Sequence, residues 1–499
     1  GKFEMRKERE MIAIPSGRLL LPGEIVALEI HYNGTARMDG GGLYESWNQR
    51  ENVTDLPYIS LQTHCEPTRA RRWFPCFDEP DKKAQFQLKV SHPKETNAYS
   101  NTKDIASSVE NGKRVTKFAS TVSLPTYLVS LAVTEQPVVE LNVKGYQYRG
   151  IGYNREEAVK TAAKGIEILH NHSIFEGVPF IPKKTDILVV DDYSSGAMEN
   201  PGLITYHTNR SDWLDVHVHE WTHMYFGNLV TLSTWGDIWV NEGFAALFQY
   251  DLEPRKEPGR LSNDLISLHD IPIHSERSYY SSIQIDKSFT SQGHIHYSRG
   301  SQFLRMVRKF VGSVVFDRAI KKYLLDNSFG NGDASKIVDN LLNEYEGDKN
   351  QLRKILYEWI YQPGVAILNL DREENQVVFH QRRFTSSYFN KELRDDQTRF
   401  TIPLFCEIDG ISTTFVFDSA AENLTISLNS NSTFNVENDY GCLYGIWEPL
   451  KTLPDNLTYN WIVLNENLVR SGMMGVKKFA KTVLPFIGYS PVRKLFKYF

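Results

Sequence analysis

The chain has 499 residues, which at roughly 100–200 residues per domain argues for about three domains rather than one compact module. Lys plus Arg number 56 against 61 Asp plus Glu, a net charge of -5, so there is no global basic footprint and no nucleic-acid partner is expected. With 41% hydrophobic and 12% aromatic residues the chain can build buried cores, which argues against long disorder. No run approaches the roughly 18–20 apolar residues that cross a bilayer, and the opening GKFEMRKERE is neither a signal peptide nor an initiator Met, so it reads as a cut. Cys65, Cys76, Cys406 and Cys442 form no metal-ligand pattern and are too few for a disulfide scaffold.

In chain order, Ile12 to about Glu135 reads as β structure. ALEIHYNG, FQLKVSHP and SLPTYLVSLAV are short apolar or alternating runs divided by Gly, Pro, Asn and Asp. Glu156 to Ile174 has helical spacing, DILVVDD has the look of a buried strand, and LITYHT follows as another after a Gly/Pro turn. Segments 214–228, 237–252, 298–325, 333–346 and 349–361 carry helix-length apolar periodicity. Beyond Pro363-Gly364, alternation returns in AILNLDREENQVVFHQ, RFTIPLFCEID, STTFVFD and NLTISLN, which predicts a second, smaller β domain. After Glu466 there is no acid, and seven Lys and Arg stand among apolar residues. That tail reads as a solvated basic helix face or the start of a further domain. Seven N-x-[ST] sequons, at Asn33, Asn52, Asn171, Asn209, Asn423, Asn431 and Asn456, point to the secretory pathway, the cell surface or the extracellular space.

The sharpest chemical feature is HEWTH at 219–223 inside a helical run. Residues i and i+4 share a helix face, so His219 and His223 can aim imidazole nitrogens at one metal ion with Glu220 beside a metal-bound water. Catalytic zinc usually takes three protein ligands and keeps a position for water. Glu242, nineteen residues after His223 in WVNEGFAALF, is the candidate third ligand, because an acid in so apolar a setting needs a cation partner. A set of N and O donors fits Zn2+ better than calcium or magnesium. His217 and His172 have no such pattern and read as ordinary histidines.

H-E-x-x-H, the W-x-N-E-G-F-A segment that follows it, and G-A-M-E-N at 196–200 ahead of it together resemble the gluzincin M1 aminopeptidases, the aminopeptidase N-like family. CEPTRARRWFPCFDEP at 65–80, LITY, FGNLVT, HYSRG and EWIYQPGVAILNL extend the resemblance over about residues 12 to 450. It implies a multidomain α/β fold: a partial N-terminal β-sandwich-like domain (1–137), a thermolysin-like α/β zinc peptidase domain (138–364) and a small β-sandwich domain (365–460). Residues 461–499 would then be the tail or the start of a truncated C-terminal helical domain, otherwise absent. The resemblance assigns substrate binding to Gly196, Ala197, Met198, Glu199 and Asn200, with Glu199 and Glu66 holding the free α-amine of a peptide. Two carboxylates facing one ammonium would favour a free N-terminus over an internal peptide bond. Tyr297, in HYSRG, matches the family's oxyanion donor, with Arg299 where Lys is usual. The expected catalytic residues are therefore Glu220, moving the proton of the attacking water, and Tyr297, with one zinc per chain.

Four departures from the family pattern stand out. Trp221 and Thr222 replace smaller or aliphatic residues and call for repacking. Pro201 replaces a common Trp. The segments from Glu199 to His219 and from Glu242 to Tyr297 are short, and the capping helical domain is missing, which opens the cleft to water. The leading expectation is a zinc aminopeptidase acting on peptides with a free N-terminus, membrane-anchored in its full-length form. The alternatives are an impaired family member that acts as a surface peptide-binding or interaction protein, and a thermolysin-like endopeptidase with no use for Glu199 and Glu66.

Overall fold

The structure is a computed structural model that describes residues 3–50, 54–143, 145–252, 295–364, 366–373, 375–383, 398–436 and 444–447. The basic tail, Cys442, the sequons at Asn52 and Asn456 and most of the shortened stretch between Glu242 and Tyr297 lie outside the described residues. The chain forms two compact units.

The first unit comprises Gly1–His172, Gly177–Trp235 and Leu324–Gly332. Its N-terminal part is β-rich, as the alternating sequence predicts. A four-stranded antiparallel sheet runs Gly42–Asn48, Tyr58–His64, Leu131–Thr134, Asn97–Ser100, and a three-stranded one runs Lys89–Pro93, Lys113–Phe118, Asp104–Glu110. Ala98, Phe118, Leu131 and Val133 form the core there, with Leu43, Leu61 and Trp73 packed against them. The strand expected in ALEIHYNG does not form. Ile25, Val26, Leu28 and Ile30 are exposed, so no buried face rewards pairing of that segment.

Next in the chain is a five-stranded mixed sheet ordered Val138–Val143, Tyr146–Ile151, Lys184–Val190, Leu203–His207, Ala197–Met198. Lys184–Val190 pairs parallel with both neighbours and is buried along its whole length, which explains its unbroken apolar reading. The crossover is the helix Arg155–His170. Glu156 and Glu157 lie in its first turn and His170 in its last, matching the helix dipole, and it buries Ala158, Val159, Ala162, Ile166 and Leu169 along one stripe. The helix Leu214–His223 packs on it. A side chain at Gly165 would come within 3.1 Å of His217 Cβ and 3.3 Å of Trp221 Cδ1, so the glycine lets the two helices approach. Trp221 uses that room: it is fully buried and donates from Nε1 to Ala162 O at 2.9 Å, while Thr222 Oγ1 donates back to Val218 O at 2.8 Å. The two bulky departures are thus absorbed within the helix pair.

The second unit comprises Ser173–Glu176, Gly236–Tyr323 and Asp333–Phe499. Its helix Ile238–Asp251 is buried from Ile238 to Phe248. The periodic run 298–325 divides into Gly300–Val311 and Ser313–Asp326 at Gly312, whose φ of 87° an α-helix cannot contain. Ala334–Glu344 and Lys349–Tyr361 start on side-chain caps: Asp333 accepts from Lys336 N, and Asp348 from Asn350 N and Gln351 N. Two sheets follow, ordered Leu424–Ser427, Gln376–Arg383, Ala366–Glu373, Tyr444–Trp447 and Ile411–Phe417, Ile402–Ile408, Phe434–Val436. Trp359 fastens them to the helices, donating to Thr401 O at 2.9 Å and stacking on Phe400 at 4.5 Å. Among the described residues no helix is long and apolar enough to cross a membrane.

Candidate metal and peptide site

The HEWTH motif lies on the helix Leu214–His223, with His219, Glu220 and His223 all buried. The periodic run predicts a helix to residue 228, but the structure ends it at His223. Asn228 N, Leu229 N and Val230 N then bond back to His223 O, Met224 O and Tyr225 O in a wider turn. That turn carries Phe226 O to within 3.1 Å of His223 Nδ1. A proton held on Nδ1 by this carbonyl leaves Nε2 as the basic nitrogen, the tautomer a metal ligand requires. His223 Nε2 and His219 Nε2 stand 3.1 Å apart. Two nitrogens at zinc's bonding distance of about 2.0–2.1 Å in a tetrahedral shell would stand about 3.3 Å apart, so the donor type and the spacing both suit zinc. Glu242, the expected third ligand, is buried on the helix Ile238–Asp251 of the second unit.

Ala197–Met198 is a two-residue strand at the edge of the five-stranded sheet, antiparallel to Leu203–His207. Its position follows from Gly196 O accepting from His207 N at 2.9 Å and from a turn at 200–202, where Leu203 N returns to Asn200 O at 3.0 Å. Gly202 in this turn has φ 80°, and a side chain there would collide with Asn101 O. Asn101 also donates to Pro201 O at 2.9 Å, so the unusual proline is held by its carbonyl. Met198, Glu199 and Asn200 are buried, and Asn228 Nδ2 donates to Glu199 O at 2.9 Å, tying the turn after the metal-motif helix to the G-A-M-E-N segment.

Glu66 is half-buried, two residues past the strand Tyr58–His64. Its charge, like those of Glu199 and Glu220, reaches the phenol of Tyr193. Burial first, then Tyr44 and the charges of Glu220, Glu199 and Glu66, push the Tyr193 phenol well above its ordinary value. Burial and Glu220 likewise raise that of Tyr206, whose ring lies on His217 at 4.2 Å. His217 is buried and its Nε2 meets Ser211 O at 2.8 Å.

In the second unit, the backbone crossing of Gly243 and Gly300 relates Glu242 to Tyr297. A side chain at Gly243 would lie 3.1 Å from the Gly300 carbonyl carbon, and one at Gly300 would lie 3.3 Å from Gly243 Cα. Tyr297 lies in a π-helical turn, Ile295–Arg299, and is 39% exposed, so its phenol can be approached from solvent. Arg299 is buried and donates to Gln362 O at 3.0 Å; burial, with the charge of Arg383, lowers it to about 9. Sequence reasoning missed His296. It is buried, and burial pushes it down to about 4 against the opposing pull of Glu242, the proposed carboxylate ligand. It also missed Tyr193 and Asn228. The signal was present, since both lie in or beside quoted motifs, but spacing alone gave them no task.

The Peptidase family M1 domain pattern matches residues 158–359, and the Peptidase M1 N-terminal domain pattern matches 2–128. The chain is 28% identical to "Probable aminopeptidase 1" of Sulfurisphaera tokodaii over 86% of this chain and 58% of that protein. It is 28% identical to "Aminopeptidase 2, mitochondrial" of Saccharomyces cerevisiae over 88% of this chain and 48% of that protein. It is 29% identical to "Glutamyl aminopeptidase" of Sus scrofa over 93% of this chain and 52% of that protein. The chain therefore spans about half the length of the curated relatives it matches. The two matched domains and the order of the motifs agree: the chain belongs to the M1 family of peptidases.

Proposed function

We propose that the chain is a zinc aminopeptidase that removes the first residue of peptides with a free N-terminus. The observation that carries this reading is the imidazole pair of the HEWTH helix, with Nε2 atoms 3.1 Å apart and His223 Nδ1 turned to Phe226 O. His219, His223 and Glu242 would hold the ion. When bound, zinc supplies Lewis acidity toward water and toward the scissile carbonyl. The chain's own residues do the rest. Glu220 takes the proton of the attacking water and returns it to the departing amine. The phenol of Tyr297 donates to the carbonyl oxygen as negative charge develops on it, an interaction stronger in the transition state than in the ground state. Glu199 and Glu66 accept from the ammonium of the substrate, while Ala197–Met198, last strand of its sheet among the described residues, can pair with the peptide backbone.

The test is hydrolysis of aminoacyl p-nitroanilides and their N-acetyl forms by the zinc-loaded chain, with Glu220→Gln as control. Cleavage of the free-amine substrates alone, lost by about 10²–10⁴ in kcat in the variant while zinc stays bound, is the expected result. Cleavage of acetylated peptides would instead mark an endopeptidase. Zinc binding without turnover would mark a peptide-binding family member. A secretory or surface location is proposed on the sequons, whose described asparagines Asn33, Asn171, Asn209, Asn423 and Asn431 are all exposed. A glycosidase-sensitive mobility shift of protein made in a secretory host would support it.

A further inference from the structure

The loop Asp191–Ser194, just ahead of G-A-M-E-N, is fastened to the N-terminal sheet. Asp191 N donates to Asn48 Oδ1 at 3.0 Å, and Asp191 Oδ2 accepts from Gln49 N at 2.6 Å. The other carboxylate oxygen accepts from the Thr208 hydroxyl. Asp192 O accepts from Tyr44 Oη at 3.5 Å, and that hydroxyl in turn accepts from Gln62 Nε2. Ser194 lies against Gly40, where an added side chain would stand 3.7 Å from its Oγ. Between these ties, the ring of Tyr193 lies on His64 at 5.0 Å with 36° between the planes.

So many fixings give the Tyr193 hydroxyl one address. Only 6% of the residue is exposed, and its oxygen has no hydrogen-bond partner among the described residues. The groups that act on it come from separate segments: Glu66 beyond the end of the strand Tyr58–His64, Glu199 in G-A-M-E-N, and Glu220 on the metal-motif helix. Burial first, and then the acidic surroundings, hold the phenol in its protonated form, so it is a hydrogen-bond donor. A buried donor with nothing to donate to is costly, and three nearby acids are surfaces it can serve. When a substrate ammonium turns carboxylate oxygens toward itself, the remaining oxygens need a donor on their other side.

We propose that Tyr193 is a positioning residue of the amine-binding subsite: its hydroxyl donates to the carboxylate of Glu199 in the ligand-bound protein and holds it toward the substrate ammonium. The inference rests on the aminopeptidase reading and deepens it. Tyr193→Phe keeps the ring on His64 and removes only the donor. The expected result is a KM for aminoacyl p-nitroanilides raised about tenfold, kcat within about twofold of wild type, and an unchanged melting temperature. In a Tyr193→Phe/Glu199→Gln double variant the KM effect of the Tyr change should vanish, because the partner charge is gone. A structural role alone would lower the melting temperature and leave KM in place.

Calorimetric binding of dialanine and N-acetyl-dialanine separates this inference from the reading beneath it. If the wild type binds dialanine without hydrolysing anilides, the aminopeptidase reading fails. The inference then still predicts dialanine binding about tenfold weaker in Tyr193→Phe. Equal KM and equal dialanine affinity in wild type and variant would overturn the role given to Tyr193, as would a wild type that binds neither dipeptide.

Discussion

Two buried clusters of charge in the first unit are built on opposite plans. In one, Asp186 receives Arg149 through Nε at 2.7 Å and Nη2 at 2.9 Å and Lys184 Nζ at 2.6 Å. Lys184 also donates to Ser100 O at 2.6 Å and Gly202 O at 2.8 Å. Each charge there meets its opposite or a carbonyl dipole. In the other, around Tyr193, the carboxylates of Glu66, Glu199 and Glu220 share one neighbourhood with the same sign. Opposite charges in contact hold two segments together, whereas like charges brought together store a demand for a cation, and a substrate ammonium or a metal can meet it. The first cluster ties segments together, and the second is where we propose that a substrate ammonium binds.

The sharpest way to break this contrast is to neutralise one acid in each cluster. Asp186→Asn takes the carboxylate from buried Lys184 and leaves the part-buried Arg149 only Asp104 at 3.6 Å, and should cost about 3–5 kcal/mol of stability in denaturant titration, with kcat of the folded protein unchanged. Glu199→Gln should cost no stability and should raise KM for free-amine substrates by about ten- to a hundredfold, the weight of a charge-assisted hydrogen bond. Equal destabilisation by the two changes would show that both clusters are structural. A smaller effect probes the scaffold: Gly165→Ala, pressing on His217 and Trp221, should lower stability by about 1–3 kcal/mol and loosen zinc affinity through the moved helix.

The smallest effect concerns acid. Burial first, with help from the charge of Arg69, pushes His64 down from 6.5 to about 4. The unfolded chain therefore binds the extra proton between those two values, so this contribution is complete above pH 6.5 and fades as pH falls toward 4. His64→Gln should flatten the acid side of a plot of melting temperature against pH across that window, and an unchanged slope would remove His64 as a cause.

What the sequence disclosed follows physical range. The pairing of His219 with His223 is a property of one helix, so a four-residue spacing suffices to foresee it. The burial of Lys184–Val190 and the alternation of the C-terminal strands are equally local. The end of the HEWTH helix at His223 was not legible, because backbone bonds over five residues begin the wider turn four residues before Gly227, the breaker within it. Nor was the failure of ALEIHYNG to pair, since alternation marks a strand's capacity for pairing and not the presence of a neighbour. Tyr193 escaped for a related reason: its surroundings are assembled from segments more than a hundred residues apart, and no spacing within one motif encodes that. Pro201, which stands where Trp is common, is held through its carbonyl by Asn101, a contact 100 residues away that no local spacing encodes.

The crossing at Gly243 and Gly300 has a mechanical consequence. Where two backbones touch without intervening side chains, neither can slide or tilt without carrying the other. Glu242 sits one residue before the first glycine and Tyr297 three before the second, so the proposed metal ligand and the proposed oxyanion donor ride on a single lever. A tremor in one is a tremor in the other, and the distance between them is among the quantities thermal motion should disturb least.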